Sequence, residues 1–169
     1  MAPGTRSQSA QLTISPTYAP YAKVPGGELA LFLSLGVGDN TTRVDQSGSA
    51  TPSCQTVAGL RDPTPGATLS WTHGDDYWMV YLVAGVPVGS YDSQRLANLG
   101  IGHAAVDAGA AYTHDSLSTG LTLSVGGGFT YNFENYSTDY RDGIDSHLGW
   151  SVMGSLSAAW RAGAAGYVY

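Results

Sequence analysis

The chain has 169 residues, the length of a single domain, and only 12% of them are charged, against roughly a quarter in soluble proteins. The net charge of −6 and the scattering of the seven Lys and Arg residues exclude nucleic acid as a partner. No apolar run approaches the ~18 residues that a membrane-spanning helix needs. The 23 Gly and 11 Tyr residues are instead typical of a β-barrel, either in an outer membrane or soluble.

The first residues lack the apolar segment of a signal peptide. We expect residues 1–9 to be disordered and residues 10–169 to form a β-barrel or part of one. A targeting segment for the outer membrane would then lie outside this sequence.

Eight segments alternate apolar with polar residues, a period that sends successive side chains of a strand to opposite faces. The first carries Pro16 and Pro20, which donate no ladder hydrogen bonds, so we predict an edge or bent strand there. The fourth is apolar on both faces. The sixth alternates most cleanly and, at fourteen residues, is long enough to cross a bilayer when tilted. The predicted strands are residues 11–24, 28–37, 67–72, 77–88, 103–113, 121–134, 147–158 and 161–169.

The predicted connections alternate between short and long. Short turns fall at residues 25–27, 73–76, 114–120 and 160–161, and long polar loops at 38–66, 89–102 and 135–146. Outer-membrane barrels place short turns on the periplasmic rim and long loops on the other. The pattern therefore predicts an all-β, antiparallel, up-and-down transmembrane β-barrel with about eight strands in this chain.

Polar residues on the non-lipid face of these strands are the candidate site residues. In a barrel they would line the lumen, hydrating a pore or filling the interior with hydrogen bonds. His103 and His147 fall near the predicted extracellular strand ends, where a ligand contact is the alternative to structural hydrogen bonding. The predicted lumen-lining residues are Asp107, Thr122, Ser124, Thr130, Asn132, Ser151 and Ser155.

Aromatic residues cluster toward the strand ends, as in the interfacial girdles of membrane barrels: Tyr18, Tyr21, Trp71, Tyr77, Trp78, Tyr112, Trp150, Trp160 and Tyr167.

Catalysis and metal binding find little support. A hydrolytic triad would need His103, His114 or His147 beside Ser124 or Ser151, with Asp107 or Asp145 as orienter, but no nucleophile motif is present. Asp139, Asp142 and Asp145 recur every third residue, a spacing that fits no EF-hand and indicates a solvated acidic loop. We expect no enzyme activity, no metal and no cofactor. Cys54, the single cysteine, is expected in a loop as an incidental thiol.

Several ordered blocks resemble one family. They are residues 95–103 (RLANLGIGH), 105–113 (AVDAGAAYT), 128–135 (GFTYNFEN), 138–140 (TDY), 143–148 (GIDSHL) and 166–169 (GYVY). Together they resemble the outer-membrane family named for the meta-pathway of phenol degradation over residues 70–169, whereas residues 10–69 match only in strand layout. The resemblance implies a bacterial outer-membrane β-barrel that passes hydrophobic or aromatic compounds. Against that family the chain is expected to lack strands at both ends.

Three functions remain open at this point. The first is a passive outer-membrane channel, with the lipid bilayer and lipopolysaccharide as partners and hydrophobic small molecules as cargo. The second is a soluble β-barrel that binds a hydrophobic ligand with its apolar face inward. The third is a structural or self-assembling β-sheet, in which copies join through open strand edges.

Overall fold

The computed structural model describes residues 4–21, 23–45 and 53–169, and every regular element in them is a β-strand. No helix in these ranges is long and apolar enough to cross a membrane. The eleven strands are β1 Gly4–Ile14, β2 Thr17–Tyr18, β3 Lys23–Val24, β4 Gly27–Asp45, β5 Ser53–Leu60, β6 Thr64–His73, β7 Asp76–Gly85, β8 Ala105–Ser116, β9 Leu121–Asn132, β10 Ile144–Ser155 and β11 Arg161–Val168.

All strands belong to one antiparallel sheet in the order β1-β4-β6-β7-β8-β9-β10-β11. The long strand β4 pairs with β1, β2 and β3 along one edge and with β5 and β6 along the other. Each set therefore acts as one interrupted strand, and the sheet is an up-and-down wall of eight. This confirms the all-β antiparallel class. In the described ranges β1 and β11 do not pair with each other, so the sheet is open.

The proline-bearing first strand lies at an edge, as predicted. It pairs only with β4 and is interrupted around Pro16 and Pro20. The carbonyl of Pro16 still accepts a hydrogen bond of 3.2 Å from the Leu33 amide, so β1 and β2 follow the same neighbour despite the break. Proline is tolerated here because its missing donor faces no second strand.

The long loop expected over residues 38–66 is a wrong prediction. Strand β4 continues to Asp45, and β5 pairs with it from Val37↔Leu60 to Val44↔Ser53. On the other side, β1 pairs with the same part of β4 from Gly4↔Asp45 onward, so residues 4–9 are in a strand rather than disordered. We call this three-stranded part, residues 4–11, 38–45 and 53–59, the extension. The extension was missed in the sequence because its residues are mostly polar and show no alternation of apolar with polar positions.

The remaining strands lie within a few residues of their predicted positions. Short turns join β3 to β4, β6 to β7, β8 to β9 and β10 to β11, and long connections leave the opposite rim at residues 86–104 and 133–143. Gly26, Gly74 and Gly120 have positive φ angles of 80°, 62° and 66°, a conformation that glycine adopts without steric cost. Residues 46–52 lie outside the described residues.

The two faces of the sheet have opposite chemistry. The outer face carries the apolar partners of the alternation, such as Leu82 and Phe129, which are 53% and 65% exposed. The inner face carries the polar partners, such as Asp107 and Thr130, which are less exposed. Among the described residues only Val57 and Ala97 are buried hydrophobic residues. The sheet therefore lacks the buried apolar core of an ordinary soluble domain.

Candidate functional site

A polar cluster on the inner face joins four strands. The Oδ2 atom of Asp107 on β8 accepts hydrogen bonds from Thr130 Oγ1 on β9 at 2.5 Å and from His147 Nε2 on β10 at 3.0 Å. The hydroxyl of Tyr81 on β7 lies 3.2 Å from the same His147 nitrogen and also donates to Asp107. These four side chains form what we call the inner cluster. It holds a half-buried carboxylate among three donors, which stabilises its charged form.

Tyr81 reaches across two strands because glycines lie beneath it. A Cβ atom built on Gly109 of β8 or on Gly128 of β9 would collide with the Tyr81 hydroxyl. The two glycines face each other in the β8–β9 register, so together they form a groove that accommodates the hydroxyl end of the phenol ring. Here glycine is required by the close approach of a side chain.

The inner cluster lies at one side of an open pocket of about 560 Å³. Residues from the five consecutive strands β7 to β11 line it, so the sheet curves around this face. The ring of Tyr169 stacks on His147 with centroids 6.4 Å apart, and Tyr167 adds a second ring. No Lys or Arg is among the described residues that line this pocket. It offers aromatic faces and a hydrogen-bond acceptor to a small molecule.

Every predicted lumen-lining residue lies on the inner face. The strand register pairs Asp107 with Thr130, Ser124 with Thr113 and Ser151, and Thr122 with Asp115. Ser155, four residues after Ser151 on β10, shares that face and pairs with Arg161. Only Asp107 and Thr130 enter the inner cluster.

A second group of polar residues lies on the same face nearer the long connections. His103 Nε2 donates to Asn132 Oδ1 at 3.3 Å, and Asn132 Nδ2 donates to Asp145 Oδ2 at 2.6 Å. The two predicted rim histidines are therefore in different groups, because His147 belongs to the inner cluster. Asp145 is part of strand β10, and Asp139 and Asp142 lie in the connection before it.

The residues weighed for a catalytic triad come together only in part, because His147 contacts Asp107 but neither Ser124 nor Ser151 contacts His147. In the described part of the chain no serine hydrogen-bonds to a histidine: Ser124 Oγ contacts Thr113 at 2.9 Å, and His114 donates to Asp76 on the outer face. No group of three His, Cys, Asp or Glu side chains among the described residues could hold a metal ion. Cys54, expected in a loop, is exposed on strand β5 opposite Arg43.

Asp62 lies in the link between β5 and β6, next to the extension, and anchors the connection of residues 86–104. Its Oδ1 accepts a hydrogen bond from the Gly89 amide at 2.7 Å and its Oδ2 accepts one from the Ile101 amide at 2.8 Å. Ala97 at the middle of the connection is fully buried, and Asn40 of β4 donates to the Asn98 carbonyl at 3.1 Å. The connection therefore lies folded against the inner side of the extension. Apart from an aspartate next to a proline, no sequence pattern indicates this anchor.

Aromatic residues mark both ends of the outer face. At the short-turn end, Trp71, Trp78 and Tyr112 are partners in the register of β6, β7 and β8, and Trp150 lies two strands further. At the other end, Phe129, Tyr131 and Phe133 follow one another along β9 and beyond it. Two of the predicted girdle residues, Tyr77 and Tyr167, lie on the inner face instead, because the register pairs them with Thr113 and Gly149.

The loop at the end of β9 is held by aromatic and charged groups. The guanidinium of Arg141 lies over the Tyr131 ring, 4.8 Å from its centroid, and donates to its hydroxyl. A hydrogen bond to Asp142, reinforced by the charge of that carboxylate, raises the pKa of the Tyr140 hydroxyl. The long-connection rim is therefore rich in tyrosines with charged partners.

Comparisons with known proteins agree with the sequence blocks. Searches of curated proteins and of solved structures gave no match. The family model described as "Putative MetA-pathway of phenol degradation" matches residues 2–169. This confirms the resemblance and extends it to residues before 70, where strand layout alone had indicated it. The chain belongs to that family.

Proposed function

We propose that this chain forms the wall of a bacterial outer-membrane β-barrel that passes hydrophobic or aromatic compounds. One observation carries the proposal: in the eight-stranded wall the apolar side chains are on the exposed outer face and the polar ones on the less exposed inner face. A bilayer stabilises a sheet with this distribution of side chains, because lipid solvates the apolar outer face while water hydrates the polar inner face.

The extent of the apolar surface supports a spanning role. On β4 the outer residues are apolar from Leu29 to Val37 and become polar from Asp39 onward. Leu29 to Val37 are nine residues, and a tilted strand of an outer-membrane barrel crosses the apolar layer with roughly 9–11 residues. The extension would then project beyond the bilayer on the side of the long connections, where lipopolysaccharide is the neighbouring partner.

The inner face supports passage of small molecules. We assign the lumen lining to Asp107, Thr122, Ser124, Thr130, Asn132, Ser151 and Ser155, and contacts with cargo to His103 near the rim and to His147 in the inner cluster. The Tyr167 and Tyr169 rings beside the inner cluster suit a planar, weakly polar compound. The residues are proposed to bind and guide the compound, without catalysis or a cofactor.

Gel migration and planar-bilayer recording test this function. The chain reconstituted in detergent or lipid is expected to migrate differently before and after boiling and to give discrete conductance steps. Absence of both behaviours, with the protein remaining soluble and monomeric without detergent, would favour the soluble alternative. That alternative requires the apolar face to turn inward, opposite to the exposure of Leu82 and Phe129.

Assembly of several copies is the second proposal. The β1 and β11 edges have no partner strand among the described residues, and closing a barrel requires an edge to meet another edge. A second copy of the chain can supply that edge. The size of the particle in detergent distinguishes an assembly from a single copy.

A further inference from the structure

The outer face carries a polar cluster at its short-turn end, separate from the inner cluster. Asp76 begins β7, pairs in register with His73 at the end of β6, and pairs with His114 on β8. Two residues further along these strands, Trp78 pairs with Tyr112 on the same face. We call these five residues the rim cluster. Paired residues of antiparallel strands share a face, so all five side chains are on the apolar, exposed side of the sheet.

The rim cluster holds a carboxylate in a defined position. Tyr112 donates to Asp76 Oδ1 at 2.7 Å, and His114 Nδ1 donates to the same oxygen at 2.8 Å. Within the described residues, no donor is bound to the other carboxylate oxygen, Oδ2. The side chains of Asp76 and His114 both remain more than one-third exposed. The carboxylate therefore keeps an acceptor directed to the surroundings.

An aromatic surface borders this acceptor. The Trp78 and Tyr112 rings lie 4.3 Å apart, and Trp78 is 54% exposed. An aromatic face next to a carboxylate attracts a cation through both its quadrupole and the ion pair. Strands β6, β7 and β8 contain no Lys or Arg, so the imidazoles of His73 and His114 are the only side chains of these strands that can carry a positive charge beside Asp76.

We propose that the rim cluster binds the headgroup of a phospholipid with a primary ammonium group, phosphatidylethanolamine. The ammonium donates to Asp76 Oδ2 and lies against Trp78, and the adjoining phosphate lies beside the imidazoles of His73 and His114. A primary ammonium is favoured over a quaternary one because only the former has N–H donors for the carboxylate. The inference rests on the proposed membrane-spanning function, because that function places the outer face in lipid.

Spin-labelled lipids test the selectivity. The full chain is reconstituted in phosphatidylcholine vesicles with a trace of labelled phosphatidylethanolamine, phosphatidylcholine or phosphatidylglycerol, and the immobilised fraction is measured by electron paramagnetic resonance. We expect labelled phosphatidylethanolamine to associate roughly two- to fivefold more strongly than phosphatidylcholine, because only the primary ammonium donates a hydrogen bond to the exposed carboxylate, and exposed ion pairs are worth little more than this. Asp76→Asn should abolish the preference, since it removes the charge and retains an acceptor for Tyr112.

Asp139→Asn is the matched control. It removes the same charge in the connection at the opposite rim, where the positive φ of 51° is one that asparagine also adopts. It should leave the lipid preference unchanged. Insertion of each variant is measured separately by heat-dependent gel migration.

The outcomes separate the two proposals. Wild-type protein that fails to insert overturns both the membrane function and this inference. Protein that inserts but associates equally with all three lipids, or prefers phosphatidylglycerol, overturns only the inference. A preference that persists in Asp76→Asn also overturns it.

Discussion

At the scale of single residues, the inner cluster depends on two glycines, because they have no side chain at the positions that the Tyr81 ring covers. Gly109 and Gly128 give room to the Tyr81 ring, and that ring places its hydroxyl against Asp107 on the adjacent strand and His147 three strands away. A hydrogen-bonded cluster of side chains that spans four strands fixes the relative positions of those strands. Backbone ladder bonds join only adjacent strands. The inner cluster is therefore a structural feature of the wall as well as a candidate contact for cargo.

Replacing one of these glycines should weaken the fold. In Gly128→Ala the new methyl group meets the Tyr81 hydroxyl and the Ala108 carbonyl, the latter at 2.6 Å, so the ring must move. We expect a loss of about 1–3 kcal/mol in the free energy of unfolding, the usual cost of overpacking. Denaturant titration in detergent micelles, followed by tryptophan fluorescence, measures it.

Gly149→Ala is the matched control for this prediction. Gly149 is also on the inner face, but the nearest atoms to its added Cβ are carbonyl oxygens at 4.0 Å. Equal losses for the two variants would contradict the role of the groove. In a Tyr81→Phe background the cost of Gly128→Ala should fall, because part of the clash is removed; strictly additive effects would argue against the contact.

The polar half of the inner cluster could be predicted from sequence, but its tyrosine could not. Alternation alone placed Asp107 and Thr130 on the non-lipid face, and the register joins them directly. Tyr81 lies in a segment that is apolar on both faces, so alternation gives no face for it. The Tyr81 side chain extends over β8 and β9 because of how the strands pair, and the residue pattern of a single strand does not reveal that pairing.

At the scale of strands and loops, Asp62 controls how the 86–104 connection lies on the extension. It binds the amides of Gly89 and Ile101, near both ends of the connection. In Asp62→Ala both charge-assisted hydrogen bonds are lost, and we expect the connection to open about 2 kcal/mol more easily. Trypsin should then cleave after Arg95 roughly thirtyfold faster, because cleavage follows the population of the open form.

Asp39→Asn is the control for this cleavage experiment. Asp39 lies on the outer side of the extension, between Ala10 and Ala58 in the register, and does not contact the connection. Its cleavage rate should equal that of the unsubstituted chain. An unchanged rate in Asp62→Ala would mean that burial of Ala97 and the Asn40 contact hold the connection without the aspartate.

Strands could be predicted from sequence where one of their two faces is apolar. They were missed where both faces are polar. The alternation located β6 to β11 to within a few residues. It stopped at Val37, although β4 continues for eight more residues to Asp45. That part is polar on both faces and is held by ladder bonds to β1 and β5, which leave no trace in hydropathy.

At the scale of the whole molecule, a substitution on the exposed outer face can distinguish whether lipid or water surrounds that face. Leu82→Lys places a charge at the middle of β7 on the outer face. In a bilayer it should cost about 2–4 kcal/mol, measured as reduced stability of the folded protein in lipid vesicles. In a soluble protein the same exposed position would tolerate lysine with little change.

Thr56→Lys provides the comparison for this substitution. Thr56 is on the outer side of the extension, opposite Thr41, in the part proposed to project beyond the bilayer. Lysine there should be neutral. Equal effects at positions 56 and 82 would contradict a lipid environment limited to the apolar band.

The open edges predict association of copies. In detergent we expect light scattering to give a protein mass of at least twice 17.6 kDa, with β1 and β11 edges of different copies adjoining. A protein mass of one chain that nevertheless gives conductance steps would show that the two edges of one copy close on each other.

Cys54 gives the molecule a built-in reporter. It is the only thiol of the chain, it is exposed, and it lies on the extension opposite Arg43. A maleimide dye therefore attaches at one chemically unique position, without an engineered cysteine or the removal of a native one. Energy transfer between donor- and acceptor-labelled copies then reports how far apart two extensions stand, and a membrane-impermeant reagent reports on which side of a vesicle they project.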